Sequence, residues 1–417
     1  MTPTGSSLPP PVAPRLGDRL RRYLPDMLAF AGALLSAGLA AFLLAVLTLL
    51  PGCGGGVGGE GTGSFASVTF SSGAITGFGS IVVNGVHYDE AAATVQDDDG
   101  ATLDRSSLAL GMVVQVSAGG ISTATDGRLV ATASAVRATR SLLGPVSAIN
   151  LGTGQLTVLG QGVAVSAATV IDSRWAGGLA SVAIGQVVEV YGYFDASRSV
   201  YVATRLAQAS AGGGYRISGP VAAVDDAQTF RLGGQTFSGA TTGLAAGNLV
   251  RLNLQTAPDT SGRWVVSAQR AEDKPPSDRE GARLDGLVSS VTSGTRFVVN
   301  GTPVDSSAAQ VSGTVQVGAK VEVRGVLRAG VLLASEVKAM AAEEARTFEL
   351  KGSPSALDTT ARRFVVRGVT VSYARSDVVF KNGTAAQLVG YTGTLEVEGL
   401  LSADRTRVEA TRIEFSN

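Results

Sequence analysis

The chain has 417 residues, 34 basic and 34 acidic side chains, one cysteine and one histidine. Balanced charge excludes a general nucleic-acid binder, which needs a basic surface. The single cysteine excludes an intramolecular disulfide, and the single histidine excludes a His-rich zinc site. In chain order, the first element is an export signal. Arg15, Arg19, Arg21 and Arg22 precede an uncharged apolar run from Met27 to Leu50, and Leu50-Pro51-Gly52-Cys53 follows. A basic n-region, an apolar h-region and small residues ahead of a cysteine have the form of a lipobox. The pattern predicts cleavage before Cys53, acylation of that cysteine (diacylglycerol and palmitate-type chains) and a membrane tether through the new N-terminus. The apolar run also reaches the ~20 residues that span a bilayer, so the alternative is an uncleaved inner-membrane anchor with a free thiol. Under either reading the bulk of the chain lies outside the cytoplasm, because the arginines precede the apolar run.

Residues 1–52 are therefore read as signal peptide and residues 53–73 as the lipidated Cys53 with a Gly-rich tether. Gly54 to Ser64 is flexible by composition. Gly54 occupies the position where an aspartate commonly retains proteobacterial lipoproteins in the inner membrane. Its presence points to the outer membrane, with the protein facing the periplasm or the surface. Without residues 1–52 the chain carries 30 basic and 32 acidic residues, close to neutral.

The remainder repeats itself about every 65–70 residues, and repeats decide architecture. Each copy opens with a short strand and a glycine, passes through two strands around a tight turn, and reaches a Gly-x-x-Val-x-Val strand. It closes on a strand rich in Val, Ala and Arg. The copies span 74–140, 141–210, 211–273, 282–342 and 346–417, with a polar Pro-Pro linker at 274–281 that divides three copies from two. Val83-Asn84-Gly85-Val86 and Val299-Asn300-Gly301-Thr302 are Asn-Gly hairpin turns. The other copies place Gly160-Gln161-Gly162, Gly233-Gly234-Gln235 and Arg367-Gly368 there. Gly111, Gly185, Gly247 and Gly318 precede the Val-x-Val strand, where a bulge or sharp bend is expected. Five or six short strands close a small barrel, which removes exposed edges. The expected fold is all-β: a tandem array of about five small OB-like barrels, strung as beads with small interfaces. Helix is expected to be scarce, with one turn at Ala339 to Ala345 and short helices between the third and fourth strands.

Ile75-Thr76-Gly77-Phe78-Gly79-Ser80-Ile81-Val82-Val83-Asn84-Gly85-Val86, with Leu110-Gly111-Met112-Val113-Val114 downstream, resembles exported proteobacterial lipoproteins that carry tandem small β domains of unknown function. The resemblance covers residues 53–417 in organisation and is sharp in the first copy; the fifth lacks a Pro-Val or Gly-Phe opening. It implies an OB-like fold and a lipoprotein. It implies no activity and no catalytic residues.

No catalytic constellation emerges. His87 follows the Asn84-Gly85 turn between Val86 and Tyr88 and reads as a surface strand residue, with Cys53 lost to acylation. Asp97-Asp98-Asp99-Gly100 offers oxygen ligands for calcium but has no EF-hand spacing, and reads as a solvated turn. Asp225-Asp226 and Glu343-Glu344 read the same way. No P-loop occurs, and Gly77-Phe78-Gly79 lacks the helix that a dinucleotide site needs. Nothing selects a carboxylate pair for glycoside cleavage. Aromatic residues make up 6% of the chain. Trp175, Tyr191, Tyr193, Phe194 and Tyr201 gather in the second copy, so that copy is the expected ligand face; filling barrel cores is the competing role for these rings. The expected function is a non-enzymatic, membrane-anchored envelope lipoprotein serving as spacer, adaptor or ligand-binding arm. It needs no cofactor or metal, binds no nucleic acid, and meets the membrane through its lipid and an envelope protein or glycan as partner. The alternatives are an envelope glycan hydrolase using a carboxylate pair and an uncleaved inner-membrane binding protein.

Overall fold

Alternating apolar residues and glycine turns close five barrels in succession. A computed structural model describes residues 68–209, 212–271, 275–340 and 347–416. The signal, Cys53, the tether up to residue 67 and Glu343-Glu344 lie outside the described residues; residues 69–73, read as the end of the tether, begin the first strand instead, because they pair with other strands. No described helix is long and apolar enough to cross a membrane. Among the described residues, helix is confined to single 3-10 turns at Arg105–Ser107, Gly178–Ser181 and Ala385–Leu388, each between the third and fourth strands of a barrel. Ala339 and Met340, expected in a helical turn, end a strand instead.

In the first barrel the strands are Thr69–Phe78, Ile81–Val83, Val86–Asp89, Val113–Ala118 and Leu129–Ala138. The first pairs antiparallel with the second and the fourth, the third pairs parallel with the fifth, and the fifth pairs antiparallel with the fourth. That ring, 1-2-3-5-4-1, is the strand order of an OB-like barrel. The same ring closes in the second barrel, from Leu142–Asn150 to Val200–Gln208. It closes again in the third, from Tyr215–Val224 to Trp264–Ala271. The fourth runs from Arg279–Ser293 to Val331–Met340. In the fifth, Phe348–Gly352 and Ser355–Asp358 share the role of first strand, broken at Ser353-Pro354, and Val408–Ser416 closes the ring.

One device repeats. Gly111, Gly185, Gly247 and Gly318 take φ of +78°, +84°, +86° and +83°, values that glycine adopts without penalty. Each donates its N–H to one first-strand carbonyl, on Ile75, Val146, Val221 and Val288 respectively. The same first-strand residue donates back to the carbonyl after the glycine. The bulge expected at these glycines sits on the partner instead: register shifts fall at Ile75/Gly77, Val146/Ala148, Val221/Ala223 and Val288/Ser290. The kinked first strand can then serve both sides of the barrel. The hairpin turns Asn84-Gly85 and Asn300-Gly301 have positive φ at both residues, as a type I′ turn requires. In the second barrel the turn is Leu159-Gly160, one residue before the Gly160-Gln161-Gly162 run. Leu159 takes φ +51°, and its buried side chain lies over Gly144, where a Cβ would meet Leu159 Cγ at 2.5 Å.

The barrels do not form a row of beads. Thr69–Ser72 of the first pairs parallel with Gly281–Leu284 of the fourth. Gly77 and Phe78 of the first pair parallel with Glu349 and Leu350 of the fifth. Leu142 and Leu143 of the second pair with Ile217 and Arg216 of the third. Cores merge accordingly. Ile75, Tyr88 and Val114 share one apolar cluster with Phe348, Phe364 and Phe415. Leu142, Val190 and Trp175 share another with Phe230, Phe237 and Leu252. The fourth barrel keeps its own core around Phe297 and Val323, joined by Phe70. The physical reason is that strand backbone and side chains left at each barrel's rim find partners in other barrels, burying area that beads would leave wet. The Pro-Pro segment therefore does not divide the array into three and two.

Candidate binding cavity

Where the first four barrels meet, two chambers of about 580 Å³ and 510 Å³ share a wall. Ser72 and Gln115 come from the first barrel, Gly247 and Leu249 from the third, and Asn300 and Gly301 from the hairpin turn of the fourth. Asn300 is fixed in place: its Oδ1 accepts from the Leu287 N–H at 3.3 Å, and its Nδ2 donates to the Asp285 carbonyl at 3.2 Å. A Cβ on Gly301 would stand 2.3 Å from Leu249 Cδ1, so the missing side chain lets Leu249 lie against the turn and form a waist. The larger chamber adds Phe70 and Gln269, and the smaller adds Thr139, Ser141, Phe194 and Ser218.

Of the aromatic residues expected to form a ligand face, Tyr193 and Tyr201 line the smaller chamber beside Phe194. The Tyr201 hydroxyl donates to the Ser218 carbonyl at 2.8 Å, and its ring meets Phe194 edge-on with centroids 5.1 Å apart. Trp175 and Tyr191 are not part of the cavity wall. Trp175 is buried in the core shared by the second and third barrels and donates through Nε1 to Gln186 Oε1 at 3.2 Å. Tyr191 is buried in the cluster of the first and fifth barrels; burial, with Glu189 nearby, pushes its hydroxyl pKa up. Ser72, Gln115, Leu249 and Asn300 come from three separate copies and carry no local signal of a shared wall.

The turn at Asp97-Asp98-Asp99 is not solvated. Asp98 is 2% exposed, and four arginines grip the three residues. Arg140 reaches Asp97 and Asp98 at 3.2 Å each and Glu189 at 2.8 Å. Arg216 meets Asp99 at 2.6 Å. Arg251 donates to the Asp98 carbonyl at 2.8 Å, with its guanidinium 3.8 Å from the carboxylate. Arg270 reaches the same carbonyl and stands 3.4 Å from Asp99. Burial alone would depress Arg140, but Asp98 and Glu189 outweigh it and hold the guanidinium well above the ordinary arginine range. The three carboxylate groups lie within 4.8 Å of one another, but a divalent cation would have to displace these guanidiniums. The turn is an ion-pair knot between the first and third barrels. Asp225 and Asp226 do form an exposed turn, with Asp225 paired to Arg231 at 3.0 Å and Asp226 accepting from the Gln228 N–H at 2.7 Å.

His87 also departs from the expected surface strand residue. It faces a cleft of about 700 Å³ between the first and fifth barrels, with Nε2 3.4 Å from the Glu349 carboxylate. Burial lowers its pKa; Glu349, Asp126 and Glu396 pull against that, and Arg128 adds to it. Around it, Lys351 pairs with Glu396 at 2.5 Å, Arg128 with Asp126 at 2.5 Å, and Arg412 with Glu398 at 2.6 Å. Every described carboxyl with a displaced pKa is displaced downward, including Asp172, Asp195, Glu396 and Asp404. In Asp404, hydrogen bonds from Ser402, Thr406 and Arg407 overcome the opposing effect of burial.

A comparison with curated protein sequences finds no match. The profile of a domain of unknown function, DUF5666, matches residues 72–133, 144–207, 285–338 and 354–414. These segments fall in the first, second, fourth and fifth barrels. The third barrel has the same strand ring without a match. With more than half of its residues in these four segments, the chain belongs to the DUF5666 family.

Proposed function

We propose that this chain is a non-enzymatic envelope lipoprotein whose interlocked barrels form a ligand-binding head on a lipidated tether. The observation that carries the reading is the two-chambered cavity, which takes its wall from four barrels. A spacer would gain nothing from merged cores and cross-barrel sheets, whereas a binding head needs a rigid wall. Residues 1–53 supply the anchor through the lipobox at Cys53, and Gly54 favours the outer membrane.

The test is the intact mass of protein extracted from separated inner and outer membranes. The expected product lacks residues 1–52, carries an acylated glycerol on Cys53 and appears in the outer-membrane fraction. A full-length, unmodified product in the inner membrane would overturn the lipoprotein reading. Cys53→Ala should leave the precursor uncleaved and free of lipid.

A further inference from the structure

Resting on the binding-head reading above, we propose that the two chambers bind an uncharged glycan segment, which lies along both of them across the Leu249–Gly301 waist. Size, charge and wall chemistry converge on this class. Chambers of about 580 and 510 Å³ fall within the range of small-molecule sites. Among the described residues, the charged side chains in the walls are Arg270 in one chamber and Arg140 in the other. Both are already committed to the aspartate knot: Arg140 to Asp97, Asp98 and Glu189, and Arg270 to Asp99 and the Asp98 carbonyl. In the smaller chamber a phosphorylated or sulfated ligand would thus have to break the buried ion pairs of Arg140, which is costly, and in the larger one it would have to draw the more exposed Arg270 away from Asp99. An acyl chain is disfavoured for the opposite reason. It would strip water from wall groups such as Ser72 and Gln115 and return no hydrogen bond, whereas the Thr139 and Ser141 hydroxyls already donate to the Val113 and Gly192 carbonyls.

A neutral sugar ring meets both demands. Its hydroxyls suit the amide and hydroxyl groups, and its C–H faces suit the Phe70 and Phe194 rings. Phe194 is held edge-on by Tyr201 and presents a pre-set surface. OB-like barrels are a known platform for oligosaccharides. Here the site lies between barrels, because four of them contribute one wall.

The experiment is calorimetric titration of the full lipidated protein in detergent with three chain-length series: neutral α-glucans, neutral β-glucans and N-acetylglucosamine oligomers. A sulfated oligosaccharide serves as the anionic control. The expected result is binding of at least one neutral series, with affinity rising from monomer to longer chains and no binding of the control. Phe194→Ala and Gln115→Ala should each weaken binding by about tenfold. Leu249→Trp, which plugs the waist, should abolish the gain with chain length. Thermal melting of each variant separates lost binding from lost folding, and Gln115→Ala, a truncation with no added volume, remains informative if Leu249→Trp fails to fold. The proposal is overturned if no neutral series binds at millimolar concentration, if the sulfated chain binds instead, or if binding ignores both Phe194→Ala and Gln115→Ala. Cys53→Ala protein should give the same titration, so failure of the anchor and failure of the glycan site are read separately.

Discussion

The first and third barrels reach the same strand ring from different sequences. The first carries the Asn84-Gly85 turn and lies within a family match; the third turns at Gly233 and lies outside one. Yet Gly111-Met112 with Ile75 and Gly247-Asn248 with Val221 make the same pair of backbone hydrogen bonds. These two barrels therefore close with the same parts: a left-handed glycine before the fourth strand, a bulge opposite it, and alternation. What distinguishes the first barrel is service to its neighbours. Asn84 Nδ2 donates to Ser71 Oγ, to the Ser72 carbonyl and, in the fourth barrel, to the Arg283 carbonyl. In the third barrel the equivalent rim is held from outside, by Gln161 Nε2 of the second barrel donating to the Leu232 carbonyl at 2.9 Å. A motif that looks like part of the fold is here partly an instruction for docking.

The strongest way to break the comparison is to cut the knot that joins the two barrels. Asp98→Ala removes the buried carboxylate that faces Arg140 and the buried Arg251, and removal of one partner from a buried pair costs about 3–5 kcal/mol. Urea unfolding should show that loss, with the third barrel released at lower denaturant than the first. A single transition at the wild-type midpoint would remove the knot from the account of stability.

A smaller effect separates the two hairpin rims. Ala at Gly73 would place a Cβ 2.3 Å from Asn84 Oδ1, while Ala at Gly234 meets nothing within 4 Å. Gly73→Ala should cost about 1–3 kcal/mol as overpacking does, and Gly234→Ala should stay within about 0.5 kcal/mol. Thermal melts of both variants check the contrast; equal melting temperatures would contradict it. The pair Gly73→Ala with Asn84→Ala should recover part of the loss, since the clash and its partner vanish together.

The smallest expected effect is a pH dependence confined to the first barrel's side. Burial holds the His87 imidazole below its ordinary value of 6.5, so the unfolded chain binds the proton first. Stability is then full above pH 6.5 and declines as pH falls through the folded value. The shifted carboxyls titrate lower and lose their contribution only further into acid. His87→Gln should flatten the slope between those ranges while leaving neutral-pH stability nearly unchanged. An unaltered slope would show that burial of His87 is not its source.

The aromatic expectation divides along a physical line. Trp175, Tyr191, Tyr193 and Tyr201 all read alike in sequence, because each sits in or beside a half-apolar strand. Whether a ring faces a cavity or a core depends on which barrel covers it. Tyr191 and Tyr193 are buried in the same cluster and Tyr201 in the core of the second and third barrels, yet Tyr193 and Tyr201 also reach the chamber wall and Tyr191 does not. Likewise Asp97-Asp98-Asp99 looks like a solvated turn until Arg251, 153 residues away, reaches Asp98.

The sequence by itself determined the strands, the hairpin turns, the glycine corners and the number of barrels. These rest on period-two alternation and on local φ preferences, which act over a few residues. Only the tertiary structure decided which barrels share sheets and cores, that an acidic turn is an ion-pair knot, and that four barrels enclose a two-chambered cavity. Those features come from matching surfaces made by distant segments, and the free energy of burying a surface depends on what finally covers it.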